Sequence, residues 1–139
     1  RALLVRYTDP RATASWWGVP GGGLDPGENH LAAVRRELRE ELARDDLQVG
    51  PWIGQRCHTF WLGRWMTQRE RWVLCRAEPF EVDPAHVTTL AAEGIAELRW
   101  WSADELRASA AVATPGDLPS LLDRIARGNL PEPEDDLGV

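Results

Sequence analysis

Glu37, Glu40 and Glu41 are the residues of this chain best spaced to do chemistry together. A helix turns about 100° per residue, so with Glu37 at zero, Glu41 falls at about +40° and Glu40 at about −60°. Three carboxylates then share one narrow face, and they repel one another unless a cation or an arginine sits among them. Leu31, Val34, Leu38 and Leu42 fall between roughly +60° and +140° and form the expected core-facing stripe. Ala33 lies at about −40°, where a larger side chain would crowd a bound ion.

Alone, an acidic run of this kind is a solvated helix face. The residues before it change the reading. Gly21-Gly-Gly23 and the turn Asp25-Pro-Gly27 precede the helix, Glu28 follows Gly22 at a fixed interval, and Arg36 adjoins the first carboxylate. Gly22, Glu28, Arg36, Glu37, Leu38, Glu40 and Glu41 stand in the order and spacing of the Nudix box, which the segment 22–44 resembles. Two positions depart: Ala43 replaces the last glycine of the box and Arg44 its last hydrophobic residue. Alanine suits a helix that simply continues, so the helix is expected from about His30 through Ala43.

The resemblance implies an α/β fold, an α/β/α sandwich around a mixed sheet. It also implies Mg²⁺-dependent hydrolysis of a pyrophosphate bond in a nucleoside diphosphate linked to another group, with Mn²⁺ as the substitute ion. Glu37, Glu40 and Glu41 would be the metal ligands, helped by the backbone of Gly22, and Glu40 and Glu41 would also serve catalysis. Glu28 and Arg36 would brace the loop against the helix, a task suited to a bidentate arginine–carboxylate pair. Mg²⁺ takes oxygen ligands and keeps exchangeable waters, which fits a cluster of glutamates. In several Nudix enzymes an additional carboxylate outside the box binds metal or activates water. Glu93, in a glycine-flanked loop, is the first candidate; Glu97, in a strand, and Glu41 itself are the others. The alternative reading is a module of the same shape that binds nucleotides or regulates without turnover, supported by Ala43 and Arg44.

Substrate contacts must come from outside the box. Eight tryptophans are many for 139 residues, and Trp17, Trp61 and Trp72 are candidates to stack on a nucleobase. Arg56 is a candidate for a phosphate or carboxylate, and Glu70 for metal or substrate. His30, His58 and His86 have no metal-ligand spacing. The net charge of −6 opposes binding of extended nucleic acid over a broad surface, so a phosphate ester would need a mediating cation. Cys57 and Cys75 are too few for a disulfide scaffold and fit a reducing compartment. No apolar run approaches the roughly 20 residues of a membrane span, so a cytoplasmic location is expected. A homodimer is compatible with this reading.

The elements that must position these residues follow from local signals. Arg1–Tyr7 reads as a strand with no preceding turn; the resemblance implies an earlier strand, so native N-terminal sequence is expected to be absent. Trp16–Val19 reads as extended, and Asn29 as the helix cap. Leu47–Leu62 and Gln68–Ala77 read as strands of a hairpin. Pro79–Glu93 reads as irregular, and Glu97–Trp101 as a strand. Ser102 with Glu105 forms a capping box, and Asp117 with Pro119 opens a last helix that Gly128 ends. Residues 1–128 then make one domain, and 129–139, acidic and proline-bearing, a tail.

Overall fold

The computed structural model describes residues 1–9, 13–61 and 63–138. Strand β1 (Ala2–Asp9) lies between β2 (Ala14–Gly18) and β5 (Ile95–Trp101), antiparallel to both. Successive strand residues point to opposite faces, and in β1 both faces are covered: Leu4 and Val5 are each fully buried. Leu4 joins a core with Trp17, Trp101, Leu106, Leu118 and Leu121. Those last three come from helices α3 (Ala103–Ala108) and α4 (Leu118–Ala126). Val5 joins a second core with Leu42 and Leu90, packed by Leu38 and Val87. Leu38 and Leu42 belong to α1 (His30–Leu42), Val87 to α2 (Pro84–Thr89), and Leu90 opens the 3₁₀ turn Leu90–Glu93. Helices therefore cover both faces of the sheet, in an α/β/α arrangement.

Strands β3 (Gln48–Trp61) and β4 (Trp65–Arg76) form a separate antiparallel hairpin. Its register shifts around Trp52, beside Gly50-Pro51. Ile53 and Trp72 attach the hairpin to the first core. Among the described residues, parallel pairing is limited to bridges between Trp17 and Ala113 and between Gln55 and Asp136. Through the second bridge, the end of the acidic segment is docked: Gln55 donates to the Asp135 carbonyl at 2.9 Å, and Leu137 donates back to that of Gln55 at 2.9 Å. No helix among the described residues is long and apolar enough to cross a membrane.

Three local expectations are corrected. Helix α1 ends at Leu42, and Ala43 is its cap, left-handed at φ 53°, ψ 34°, donating to the Leu38 carbonyl. The chain must turn there because Arg44 pairs with Asp46 and lies over the Phe80 ring at 4.6 Å. Leu31 is 44% exposed and drops out of the core stripe, whose Leu38 and Leu42 do pack inward, together with Ala33 and Glu41. Pro79–Glu93 is not wholly irregular. Asp83 caps α2 by accepting from Ala85, with Pro84 in the first turn, where a missing N–H costs nothing.

Candidate active site

Asn29 starts α1 by accepting the Ala32 N–H at 3.0 Å, and this sets the phase of every carboxylate that follows. Glu41 is turned inward and only 3% exposed. Its Oε2 accepts the backbone N–H of Gly21 at 2.9 Å. Burial pushes its carboxyl up to about 8; the Gly21 bond opposes this, and the charges of Glu37 and Glu93 add to it. Glu37 lies one step outward, under Gly22. A Cβ at residue 22 would stand 2.3 Å from Glu37 Oε1, so any larger residue there would push this carboxylate aside. Glu40 is half-exposed. The single face read from helical spacing is thus graded, from buried Glu41 to exposed Glu40.

Arg36 ties loop to helix. Its Nε and Nη2 donate to the two oxygens of Glu28 at 3.1 and 3.0 Å. Nη2 also reaches the Gly23 carbonyl at 2.7 Å, while Nη1 donates to Glu37 at 2.7 Å and Glu40 at 3.0 Å. The Arg36 pairing holds the Glu28 carboxyl below its usual range, and the Glu28 and Glu37 bonds hold the guanidinium above its own. Among the described residues, no three acidic, imidazole or thiol groups close into a ready-made cage. Glu37 and Glu40 instead share the arginine, each through one oxygen. The donors of Glu37, Glu40 and Glu41 are all oxygens, so the residues present fit a hard divalent cation.

Glu93 ends the 3₁₀ turn, and the next residue, Gly94, accepts from Thr8 of β1 at 2.8 Å. That bond ties the turn to the sheet, and the Glu93 charge is felt at Glu41. Glu97 lies opposite Arg6 in the β1–β5 ladder and pairs with it at 3.1 Å. Tyr7, which residue type and spacing gave no reason to select, donates its hydroxyl to the Val19 carbonyl at 3.1 Å. Burial, then the charges of Glu41, Glu37 and Glu70, raise its pKa.

The match that decides the family is to the NUDIX domain model, over residues 1–122. The chain belongs to the Nudix family. Among curated relatives, an RNA pyrophosphohydrolase of Wolbachia pipientis is 32% identical over 105 residues, covering 69% of this chain and 64% of its own. Nucleoside triphosphatase NudI of Escherichia coli K12 is 42% identical over 53 residues, covering 36% of this chain and 38% of its own. The chain therefore spans less than two thirds of the length of these relatives. The solution structure of the E. coli ORF135 protein aligns with 90% of this chain and 79% of that one, at 23% identity and a TM-score of 0.47.

Beyond the box, this Nudix domain separates the substrate candidates. Trp17 is 7% exposed and packs edge-on against Trp101 at 5.1 Å, so it is a core side chain rather than an open stacking surface. The side chain of Trp61 lies outside the described residues. Trp72, Arg56 and Glu70 are brought together on the hairpin: Trp72 Nε1 donates to Glu70 at 3.0 Å, and Arg56 Nη1 lies 3.5 Å from the same carboxylate. Arg56 also donates to Thr114 Oγ1 at 2.7 Å, a partner remote in sequence. His86 contacts the Glu40 carbonyl at 2.9 Å, and His30 lies against Trp52 at 5.7 Å.

Proposed function

We propose that this domain hydrolyses a pyrophosphate bond in a nucleoside diphosphate linked to another group, with a divalent metal. The observation that carries the reading is Glu41, a buried carboxylate held by the Gly21 N–H and crowded by the charges of Glu37 and Glu93. So much negative charge around a buried acid is unfavourable without a cation. Glu37, Glu40 and Glu41, with the Gly22 backbone, would hold Mg²⁺, or Mn²⁺ in its place. Bound there, the ion would neutralise phosphate charge and lower the pKa of a coordinated water.

The chain's own groups do the rest. Arg36 positions the Glu37 and Glu40 carboxylates and, through Glu28 and the Gly23 carbonyl, the loop over them. Glu93, at the end of a tethered turn, accepts the proton of the attacking water on a carboxylate oxygen. Glu97 is engaged with Arg6 and plays no part in that step. Water attacks one phosphorus, the bridging oxygen leaves with the other, and two phosphate-bearing products form.

The names of the relatives, a pyrophosphohydrolase and a nucleoside triphosphatase, support this reaction class. The non-catalytic alternative rests on Ala43, the helix cap, and Arg44, which pairs with Asp46, and both lie downstream of all three carboxylates. The test is a panel of nucleoside triphosphates, nucleotide sugars, ADP-ribose and dinucleoside polyphosphates, with Mg²⁺ and with EDTA. Release of phosphate or nucleoside monophosphate only with metal is expected. Nucleotide binding with no turnover under Mg²⁺ or Mn²⁺ would leave the non-catalytic module as the surviving account.

A further inference from the structure

Side chains alternate along a strand, and the hairpin register places Arg56 opposite Glu70, His58 opposite Gln68 and Phe60 opposite Met66. All six therefore share one face. The reverse face, with Cys57, Thr59, Thr67 and Arg69, is exposed. Tyr7 lies between this face and the acidic helix, where the charges of Glu41, Glu37 and Glu70 all reach it. Arg56 donates to Thr114, whose methyl group lies 3.5 Å from where a Cβ on Gly18 would stand, and the Tyr7 ring lies 3.2 Å from that same point.

This face holds a buried donor without a hydrogen bond. Arg56 is 8% exposed and, among the described residues, its Nε has no hydrogen-bond partner, while the buried Nδ1 of His58 stands 3.6 Å from Glu70 Oε1. Buried polar groups are ordinarily paired, so a ligand is the natural partner for the Arg56 Nε–H. The adjoining acceptor is Glu70. Its Oε1 takes Gln68 Nε2 at 3.1 Å and its Oε2 takes Trp72 Nε1 at 3.0 Å, with His58 Nδ1 at 3.6 Å and Arg56 Nη1 at 3.5 Å standing just beyond hydrogen-bond reach of the second lone pairs. The ring of Phe60 stands 5.5 Å from that of His58, while the Trp72 indole belongs to the buried core. A buried donor, a neighbouring acceptor and a flat apolar wall suit an uncharged planar heterocycle. A phosphate suits them poorly, because the carboxylate beside Arg56 both neutralises it and repels an anion.

We infer that the Arg56–His58–Glu70 face of the hairpin is a nucleobase subsite selecting bases with an adjacent carbonyl and N–H, guanine and uracil, over adenine. The carbonyl accepts from Arg56 and the ring N–H donates to Glu70; adenine offers no carbonyl and no ring N–H on that edge. This rests on the pyrophosphohydrolase reading only in placing the phosphates toward Glu37 and Glu41.

The test separates base recognition from turnover. Titration calorimetry without metal, using GMP, UMP, CMP and AMP, is expected to give about 10- to 100-fold tighter binding of GMP and UMP than AMP, the worth of one or two hydrogen bonds to charged groups. Glu70→Gln, which keeps an oxygen for the Trp72 N–H but turns the other acceptor into a donor, should move the preference toward CMP, whose ring nitrogen accepts there. Equal affinity for the four nucleotides, or inorganic phosphate displacing UMP from wild type while Glu70→Gln leaves the ranking unchanged, would overturn the inference. If Glu70→Gln does not fold, the wild-type ranking alone decides. Failure of every substrate to be hydrolysed would refute the catalytic reading and leave the binding result to stand or fall by itself.

Discussion

The backbone N–H of Gly21 reaches Oε2 of Glu41 at 2.9 Å and fastens the glycine loop to a carboxylate that is otherwise buried. The Gly21 bond and the nearby Tyr7 hydroxyl give a carboxylate less than water would, and burial still raises the group from 4.5 to about 8. For an acid whose folded pKa is raised, the associated stability is fully present below the unfolded value and is lost as pH rises through the folded one. Without metal, the melting temperature should fall as pH climbs from 4.5 toward 8, and Mg²⁺ should restore it at the alkaline end. Glu41→Gln should flatten the pH dependence, melt higher than wild type in EDTA above pH 8, and abolish hydrolysis. A wild-type profile in EDTA that is level across this window would rule out a buried, proton-binding Glu41.

Ala43 makes a backbone prediction opposite to the one helix propensity suggests. Its φ of 53° is left-handed, a conformation that costs a non-glycine residue roughly 1–2 kcal/mol. Ala43→Gly should therefore stabilise the domain by about 1 kcal/mol in urea unfolding, with hydrolysis unchanged. A loss of stability would mean that residue 43 is helical after all.

Arg36 should tolerate no conservative exchange. Lysine keeps the charge but cannot span Glu28, Glu37, Glu40 and the Gly23 carbonyl at once. Arg36→Lys should lower activity and weaken metal binding by about 10–100-fold, as for other groups that orient metal ligands. Equal metal affinity in mutant and wild type, measured by Mn²⁺ titration, would argue against this role.

Glu93 and Glu97 should differ in kinetics. Glu93→Gln is expected to lower kcat by about 10²–10⁴-fold with little change in KM, the range for a general base. Glu97→Gln only removes a pair to Arg6 in the sheet and should cost far less. The reverse ranking would transfer the role to Glu97. Near-wild-type rates in both variants would leave Glu41 or a metal-bound hydroxide as the base.

Residue type and spacing alone determined the acidic helix with its Asn29 cap, the Ser102–Glu105 capping box and the hairpin, while the pairing of Glu28 with Arg36 was implied by the resemblance to the Nudix box. Each is governed by contacts a few residues apart, where helical and strand periodicity set which groups meet. Tertiary structure decided the rest. It buried Glu41 and left Glu40 half-exposed, though spacing put both on one face, because only the packing of α1 against β1 sets how far the helix is rotated. It turned the chain at Ala43, docked Leu137 beside Gln55, and joined Arg56 to Thr114 and Glu70. These relationships depend on which strands and loops lie side by side once the two faces of β1 are covered. That is set by burial of apolar surface far apart in the chain, and no local pattern encodes it.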